Sequence, residues 1–316
     1  TDGKTYKEIV NPSGFVNTEG ITLQELVGKK IILIDFLTYS CINCQRTFPY
    51  INRWYEKYKD QGLEIIGIHT PEFAFEKDIK NVREAMGRFG IKHPIVLDND
   101  YATWRAYENS YWPRKYLIDI HGNIVYDHIG EGGYEETEAK IQELLKERAQ
   151  VLGEEIIVSE TISSREIVGV ANGVKSPETY FGSLRNEYLA NGLVGKNGKQ
   201  SFSVPEEFSL NKLYLGGTWD ITPEYVESIS NSAVFYRYSA REVYLVADAD
   251  VSSEVEVWQD GKPIGNSAGS DILSGTKVLI KESRLYKLIH NDVSGEHLLE
   301  LRIKNKGLRM YAFTFG

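Results

Sequence analysis

Cys41 and Cys44 are the only cysteines in the chain, and they stand at the seam between an apolar run and a charged, helix-like stretch. Ile31–Leu37 is of strand length, rich in Ile and Leu, and interrupted only by Asp35. Cys41–Lys59 follows, long enough and charged enough to be a half-buried helix. A strand that delivers two cysteines at i and i+3 to a helix start puts both sulfurs on one helix face. The first sits among unpaired backbone N–H groups at the positive end of the helix dipole, which favours the nucleophilic thiolate. The second is near enough to attack a mixed disulfide on the first and resolve it. A structural zinc site needs about four ligands. The chain has no second Cys-x-x-Cys, and its six histidines form no ligand-spaced pair nearby. A static disulfide at this spacing would be strained and therefore labile. Two unrelated buried thiols are the plainest alternative, and the strand–dithiol–helix context favours redox chemistry over it.

The same alternation runs on to about Gln150. Leu63–His69, Ile95–Leu97, Lys115–Ile120 and Ile124–Ile129 read as strands, Phe75–Phe89 and Tyr134–Gln150 as helices. Thr22 with Glu25 suggests a short capped helix at the front, and His121-Gly122-Asn123 a hairpin turn. The order β-α-β-α-β-β-α predicts a mixed sheet with flanking helices. From about Ser163 the helical pattern stops. Ala233–Tyr238, Glu242–Val246, Val255–Gln259, Lys277–Ile280, Arg284–Ile289, His297–Ile303 and Met310–Phe315 are short strand-like runs, with Asp260-Gly261 as a turn dipeptide. This half is expected to be an all-β sandwich or jelly roll. A chain of 316 residues suits two domains, read here as 1–155 and 177–316 with a linker at 156–176.

Lys and Arg number 36 against 45 Asp and Glu, a net charge of -9 with no basic run, so nucleic acid is excluded as a partner. No stretch approaches the roughly 18 consecutive apolar residues of a membrane span, and the chain as given is expected to be soluble. No dissociable cofactor or metal is implied beyond a redox-active Cys41–Cys44 disulfide.

Leu33-Ile34-Asp35-Phe36-Leu37-Thr38-Tyr39-Ser40-Cys41-Ile42-Asn43-Cys44 resembles the active-site strand and loop of thioredoxins. Pro49 matches the proline that kinks their active-site helix, and Tyr111–Asp119 resembles their cis-proline loop and the strand after it. The segment Ile65–Asp98 is similar to the insertion of the TlpA/ResA-like branch. Cys-Ile-Asn-Cys, Ser176–Tyr180 and the terminal Tyr311–Gly316 resemble a narrower, DipZ-like group, in which a redoxin domain precedes a carbohydrate-binding-module-like β domain.

The resemblance implies a thioredoxin-like α/β fold followed by a jelly-roll domain, and a thiol–disulfide oxidoreductase of the cell envelope. It casts Cys41 as nucleophile, Cys44 as resolving thiol and Asp35 as the buried carboxylate that takes the Cys44 proton. Glu72 falls where ResA-like proteins carry an active-site glutamate. Pro113 is expected to be cis and, with Trp112, Ile42 and Asn43, to shape the docking groove for substrate. Trp112 is bulkier than the family's usual residue, and packing against Tyr39 or Tyr111 is its alternative role. Arg46 reads as a solvated helix charge. The implied partners are protein thiols or disulfides, apocytochrome c among them, and a membrane electron donor of CcdA/DsbD type. A CcdA-type membrane domain usually precedes these two domains in that family; the chain as given is either cut from such a parent or a free-standing relative.

Trp219, Tyr225, Tyr236, Tyr238, Trp258 and Tyr286 make a glycan-binding reading of the β domain available, against the alternative that they are core rings. Two further functions compete: a thiol peroxidase, and an envelope glycan-binding protein with a vestigial dithiol.

Overall fold

All seven residues of Ile31–Leu37, Asp35 included, are buried, as a strand between two helical layers must be. The computed structural model describes residues 4–155, 175–273 and 275–316. The chain forms two compact units, Thr1–Val170 and Ala171–Gly316. The linker expected at 156–176 lies almost wholly outside the described residues.

In chain order the first unit comprises β1 Gly14–Val16, α1 Leu23–Leu26, β2 Ile31–Leu37, α2 Ile42–Tyr58, β3 Leu63–His69, α3 Ile79–Arg88, β4 Ile95–Leu97, α4 Ala102–Ala106, β5 Arg114–Ile118, β6 Ile124–Ile129 and α5 Tyr134–Leu152. The six strands lie in the order β1-β4-β3-β2-β5-β6. β2, β3 and β4 are parallel, while β5, β6 and β1 run against their neighbours. One face of the sheet packs Leu33, Ile65 and Leu117 against α2 and α5, and Leu37, Ile95 and Leu97 against α2 and α3. The opposite face packs Ile32, Ile34, Phe36 and Ile68 against α1 and α4. Thr22 caps α1 by accepting from the Glu25 backbone N–H, as its spacing predicts. The helix expected over Phe75–Phe89 is split: Ala74–Lys77 is a 3-10 turn, and Asp78 restarts the chain as the N-cap of α3. Its carboxylate takes the Lys80 N–H, which favours a cap over a helix interior.

The second unit is strand-rich, and its named strands pair antiparallel: β7 Thr179–Tyr180, β8 Gly198–Phe202, β9 Leu213–Ile221, β10 Val226–Ser228, β11 Ser232–Ala249, β12 Ser253–Gln259, β13 Lys262–Pro263, β14 Ile272–Leu273, β15 Lys277–Ile280, β16 Arg284–Ile303 and β17 Leu308–Phe315. β11 spans 18 residues and β16 spans 20. Each was expected as two short strands. The breaks in hydrophobic pattern are real: Asp292, Val293 and Ser294 are exposed, and the β11–β16 register shifts between Ala240 and Glu242. A bulge of this kind turns the strand without ending the ladder. Asp260 and Gly261 both have positive φ and link β12 to β13, as their dipeptide predicts. Trp219, Tyr236, Tyr238 and Tyr286 are core residues; Tyr225 and Trp258 are half-exposed. No helix among the described residues is long and apolar enough to cross a membrane.

Candidate functional site

Cys41 is the N-cap of α2, its backbone extended and its sulfur accepting from the Cys44 N–H at 3.4 Å. The cap geometry follows from the sequence, because Ile42 is the first residue of a long amphipathic segment anchored by Phe48, Ile51 and Trp54. Cys41 is partly exposed and Cys44 is buried. A bulky disulfide can therefore reach only the first sulfur. Burial, reinforced by the adjacent Cys41, pushes the Cys44 thiol well above its ordinary value. The thiol has to lose its proton to act, so a base beneath it matters.

Asp35, on the strand that leads to the dithiol, is a buried carboxylate. It is 1% exposed on β2, and burial raises its carboxyl to about 7. Its charge bears directly on the Cys44 thiol. The opposing influence on Asp35 is Lys115, its register partner across β2 and β5. Lys115 is wholly buried, donates to the Gly130 carbonyl at 3.2 Å, and is itself shifted downward by burial. Sequence reasoning missed this lysine. Its signal was present as a basic residue on the inward phase of an otherwise apolar strand, one step from Leu117.

Glu76 is a second buried carboxylate that the sequence did not single out. It is 0% exposed and holds four donors: the Ser40 N–H and hydroxyl on one oxygen, the Glu72 and Phe73 N–H groups on the other. Glu72, the glutamate expected at the site, is half-exposed in the loop after β3. It contributes its backbone N–H to Glu76, and its charge helps raise the Glu76 carboxyl, which burial raises most.

The Trp112–Pro113 peptide bond is cis, and the Trp112 carbonyl lies 4.0 Å from the Cys41 sulfur. The indole packs on Trp104 with centroids 4.4 Å apart and donates to the Thr70 carbonyl at 3.1 Å. It also joins the apolar cluster that contains Tyr39. Beyond Pro113, Tyr111 and Ile129 expose half of their surfaces. Between the cysteines Asn43 is half-exposed, whereas Ile42, expected in the groove, is only 4% exposed and belongs to the interior. Arg46 is not a solvated charge. It pairs with Glu131 at 3.2 Å, with side-chain exposures of 18% and 15%, because its helix face looks toward the loop before α5. Among the described residues no group of three or more His, Cys, Asp or Glu is gathered as a metal site.

Residues 3–145 match the Redoxin family, and residues 176–316 match the family described as thioredoxin-like C-terminal domain. The chain is 35% identical over 316 residues to Protein DipZ of Mycobacterium tuberculosis, covering 99% of this chain and 43% of that protein. It thus spans less than half of that relative. Over 140 residues it is 31% identical to the thiol-disulfide oxidoreductase YkuV of Bacillus subtilis, covering 44% of this chain and 93% of the relative. Over 131 residues it is 37% identical to the thiol-disulfide oxidoreductase ResA of Halalkalibacterium halodurans, covering 42% of this chain and 70% of the relative. The chain, with Cys41 capping α2 and Asp35 buried on the preceding strand, belongs to the thioredoxin-like family, in its TlpA/ResA-like redoxin branch.

Proposed function

We propose that the chain is a thiol–disulfide oxidoreductase that reduces protein disulfides in the cell envelope. The observation that carries this reading is the asymmetry of the dithiol: a partly exposed Cys41 at a helix start and a buried Cys44 above a buried Asp35. The Cys41 thiolate attacks a substrate disulfide and one substrate sulfur leaves. Cys44 passes its proton to Asp35 and attacks the Cys41 sulfur, forming the Cys41–Cys44 disulfide and releasing the second substrate thiolate. Two electrons go from the dithiol to the substrate. The Trp112 carbonyl and Pro113, with Asn43, Tyr111 and Ile129 around them, form the surface against which an extended segment docks. The names of YkuV and ResA support the reaction class. A membrane donor of CcdA/DsbD type restores the dithiol, and the second unit is a jelly-roll module that presents the redoxin unit to its partners. Trp219, Tyr236, Tyr238 and Tyr286, four of the six rings that suggest a glycan platform, lie in the core and weigh against one.

Two measurements test the reading. Cys44→Ser should accumulate a mixed disulfide on Cys41 with disulfide-bearing protein, and no such adduct would sink the mechanism. The reduction potential of the couple, equilibrated against glutathione, should fall near about -250 mV or below, as for thioredoxin-type reductants. A value near about -120 mV would make the protein an oxidant instead.

A further inference from the structure

The side chains of α1 and α4 cover one face of the sheet as far as Tyr116 and Ile118 of β5. On β6 the cover ends, and Val125, Asp127 and Ile129 are exposed. A cavity of about 480 Å³ opens there, between β5, β6, the end of α4 and residues 4–7. Its size is that of a binding pocket, for which about 300–1,000 Å³ is usual. The buried rings of Tyr107 and Tyr116 line it, and their hydroxyls are already committed, donating to the Lys7 and Tyr107 carbonyls at 2.7 and 3.3 Å. Arg114 lies over the Tyr116 ring at 4.7 Å and donates twice to the Asp127 carboxylate, at 3.3 and 2.6 Å. That pair is closed on itself. Lys4 and Lys7 are exposed on the opposite wall, and neither ammonium is ion-paired among the described residues. Glu108, at the end of α4, is the one other charge in the lining. The wall formed by residues 4–7 is thus locally positive, on a chain whose net charge is -9.

The cavity continues the surface beside the dithiol. Arg114 follows the cis Pro113 directly, and its register partner on β6 is Ile129. Trp112 packs on Trp104 of α4, the helix whose end, Ala106 and Tyr107, lines the cavity. From Trp112 to Tyr116 the chain advances four residues, roughly 13 Å when extended. A segment docked on the Trp112 carbonyl therefore reaches the cavity about four residues from the cysteine that meets Cys41.

We propose that this cavity is a side pocket of the docking surface and takes an acidic side chain of the protein substrate, about four residues from its reacting cysteine. The inference deepens the reductase reading and rests on it. The carboxylate faces Lys4 and Lys7, while the methylenes beneath it cover the Tyr107 and Tyr116 rings. The contact is the same before and after thiol exchange, so it strengthens binding and leaves the chemical step alone.

The test uses the full chain, reduced beforehand, in single turnover with extended peptides. Each carries one central cysteine, disulfide-bonded to thionitrobenzoate, and Glu, Gln or Lys four residues before or after it. The Cys41 thiolate attacks the peptide sulfur and releases the coloured thiolate, whose low pKa makes it the leaving group. In one of the two positions the Glu peptide should be preferred over the Lys peptide by about fivefold, as expected for two exposed charge contacts. The preference should appear in the half-saturating concentration rather than in the limiting rate, and should shrink as salt is added. In the double variant Lys4→Glu with Lys7→Glu the ratio should invert, and in Lys4→Gln with Lys7→Gln it should fall to about one. Equal use of the Glu and Lys peptides by the wild type, or a preference that survives both double variants, overturns the pocket. A wild-type dimer in sedimentation that the charge reversal dissociates would give the cavity to a second copy of the chain and overturn it as well. Failure to react with any of the peptides would overturn the proposed function, and the inference with it.

Discussion

Glu76 accepts both the backbone N–H and the hydroxyl of Ser40, at 3.2 and 2.7 Å, and so holds the residue before the exposed cysteine from a segment 36 residues away. Its other oxygen takes the Glu72 and Phe73 N–H groups at 2.7 and 3.0 Å. One buried carboxylate thus ties the loop that presents Cys41 to the loop that follows β3.

In Glu76→Gln an amide nitrogen replaces one of these oxygens and faces two donors that it cannot satisfy. Buried donors left unpaired cost enough that the variant should lose about 2–4 kcal/mol in denaturant unfolding. Ser40→Ala deletes only the hydroxyl bond and should lose about 1 kcal/mol. The ordering is the test: an equal loss in the two variants would mean that Glu76 is no anchor for this loop.

Asp35 makes a pH prediction with a definite sign. Its folded value, raised to about 7 by burial against the pull of Lys115, lies above that of an unfolded aspartate. The folded protein then holds a proton that the unfolded chain has released. Its stabilising contribution is complete below about pH 4 and is lost as the pH climbs to about 7. Asp35→Asn removes this titration. The thermal midpoint of the variant relative to wild type should rise between about pH 4.5 and 7.5 and then level off, with a ceiling of about 4 kcal/mol. A difference that does not change with pH would contradict the burial of a titrating carboxyl at this position.

How much of this was legible in the chain follows from the physics of each part. The strands Ile31–Leu37, Leu63–His69 and Ile95–Leu97 were readable at their observed limits because they are buried and mostly apolar, and the half-exposed Ile124–Ile129 because the His121-Gly122-Asn123 turn precedes it. Cys41 at the helix start and Asp35 beneath it were readable because strand, loop and helix are contiguous. Lys115 and Glu76 were not, since each acquires its meaning from a partner far away in sequence, Asp35 in one case and Ser40 in the other. Arg46 was misjudged for the same reason, its partner Glu131 being 85 residues on. The short α4, Ala102–Ala106, carries too few residues to show a helical period; Asp98 builds it instead by accepting from the Thr103 and Trp104 N–H groups. In the second unit β11 and β16 looked like pairs of strands because solvent-facing bulges interrupt their pattern without interrupting their pairing.

Trp112 joins stability to the docking surface. Its indole spends its N–H on the Thr70 carbonyl and its ring on Trp104, while its own carbonyl faces the Cys41 sulfur. Trp112→Phe keeps most of the ring contact and loses one hydrogen bond, which should cost about 1 kcal/mol. Trp112→Ala also empties a partly buried site and should cost about 2–3 kcal/mol. Insulin reduction should fall more steeply in the alanine variant, because the carbonyl beside Cys41 is no longer held. Full activity in Trp112→Ala would show that this carbonyl has no part in docking.

His69 supplies the opposite pH slope to Asp35 from the neighbouring strand. It is wholly buried, stacks on Tyr39 with centroids 5.7 Å apart, and neither ring nitrogen meets a hydrogen-bond partner on another described residue. Burial holds its imidazole down at about 3, well under the unfolded value. A histidine lowered in this way contributes stability that is present above about pH 6.5 and is lost as the pH falls toward about 3. Because Asp35 pulls the other way in the same range, the net acid profile hides both groups, and only differences between variants separate them. His69→Phe keeps a ring against Tyr39 and cannot take up a proton. Relative to wild type it should gain about 3 kcal/mol between pH 7 and pH 4. The gain should be read from unfolding midpoints in the Asp35→Asn background, where the opposing titration is gone. A pH-independent difference there would show that His69 is solvated enough to protonate in the folded protein, and the dry pocket beneath Tyr39 would have to be abandoned.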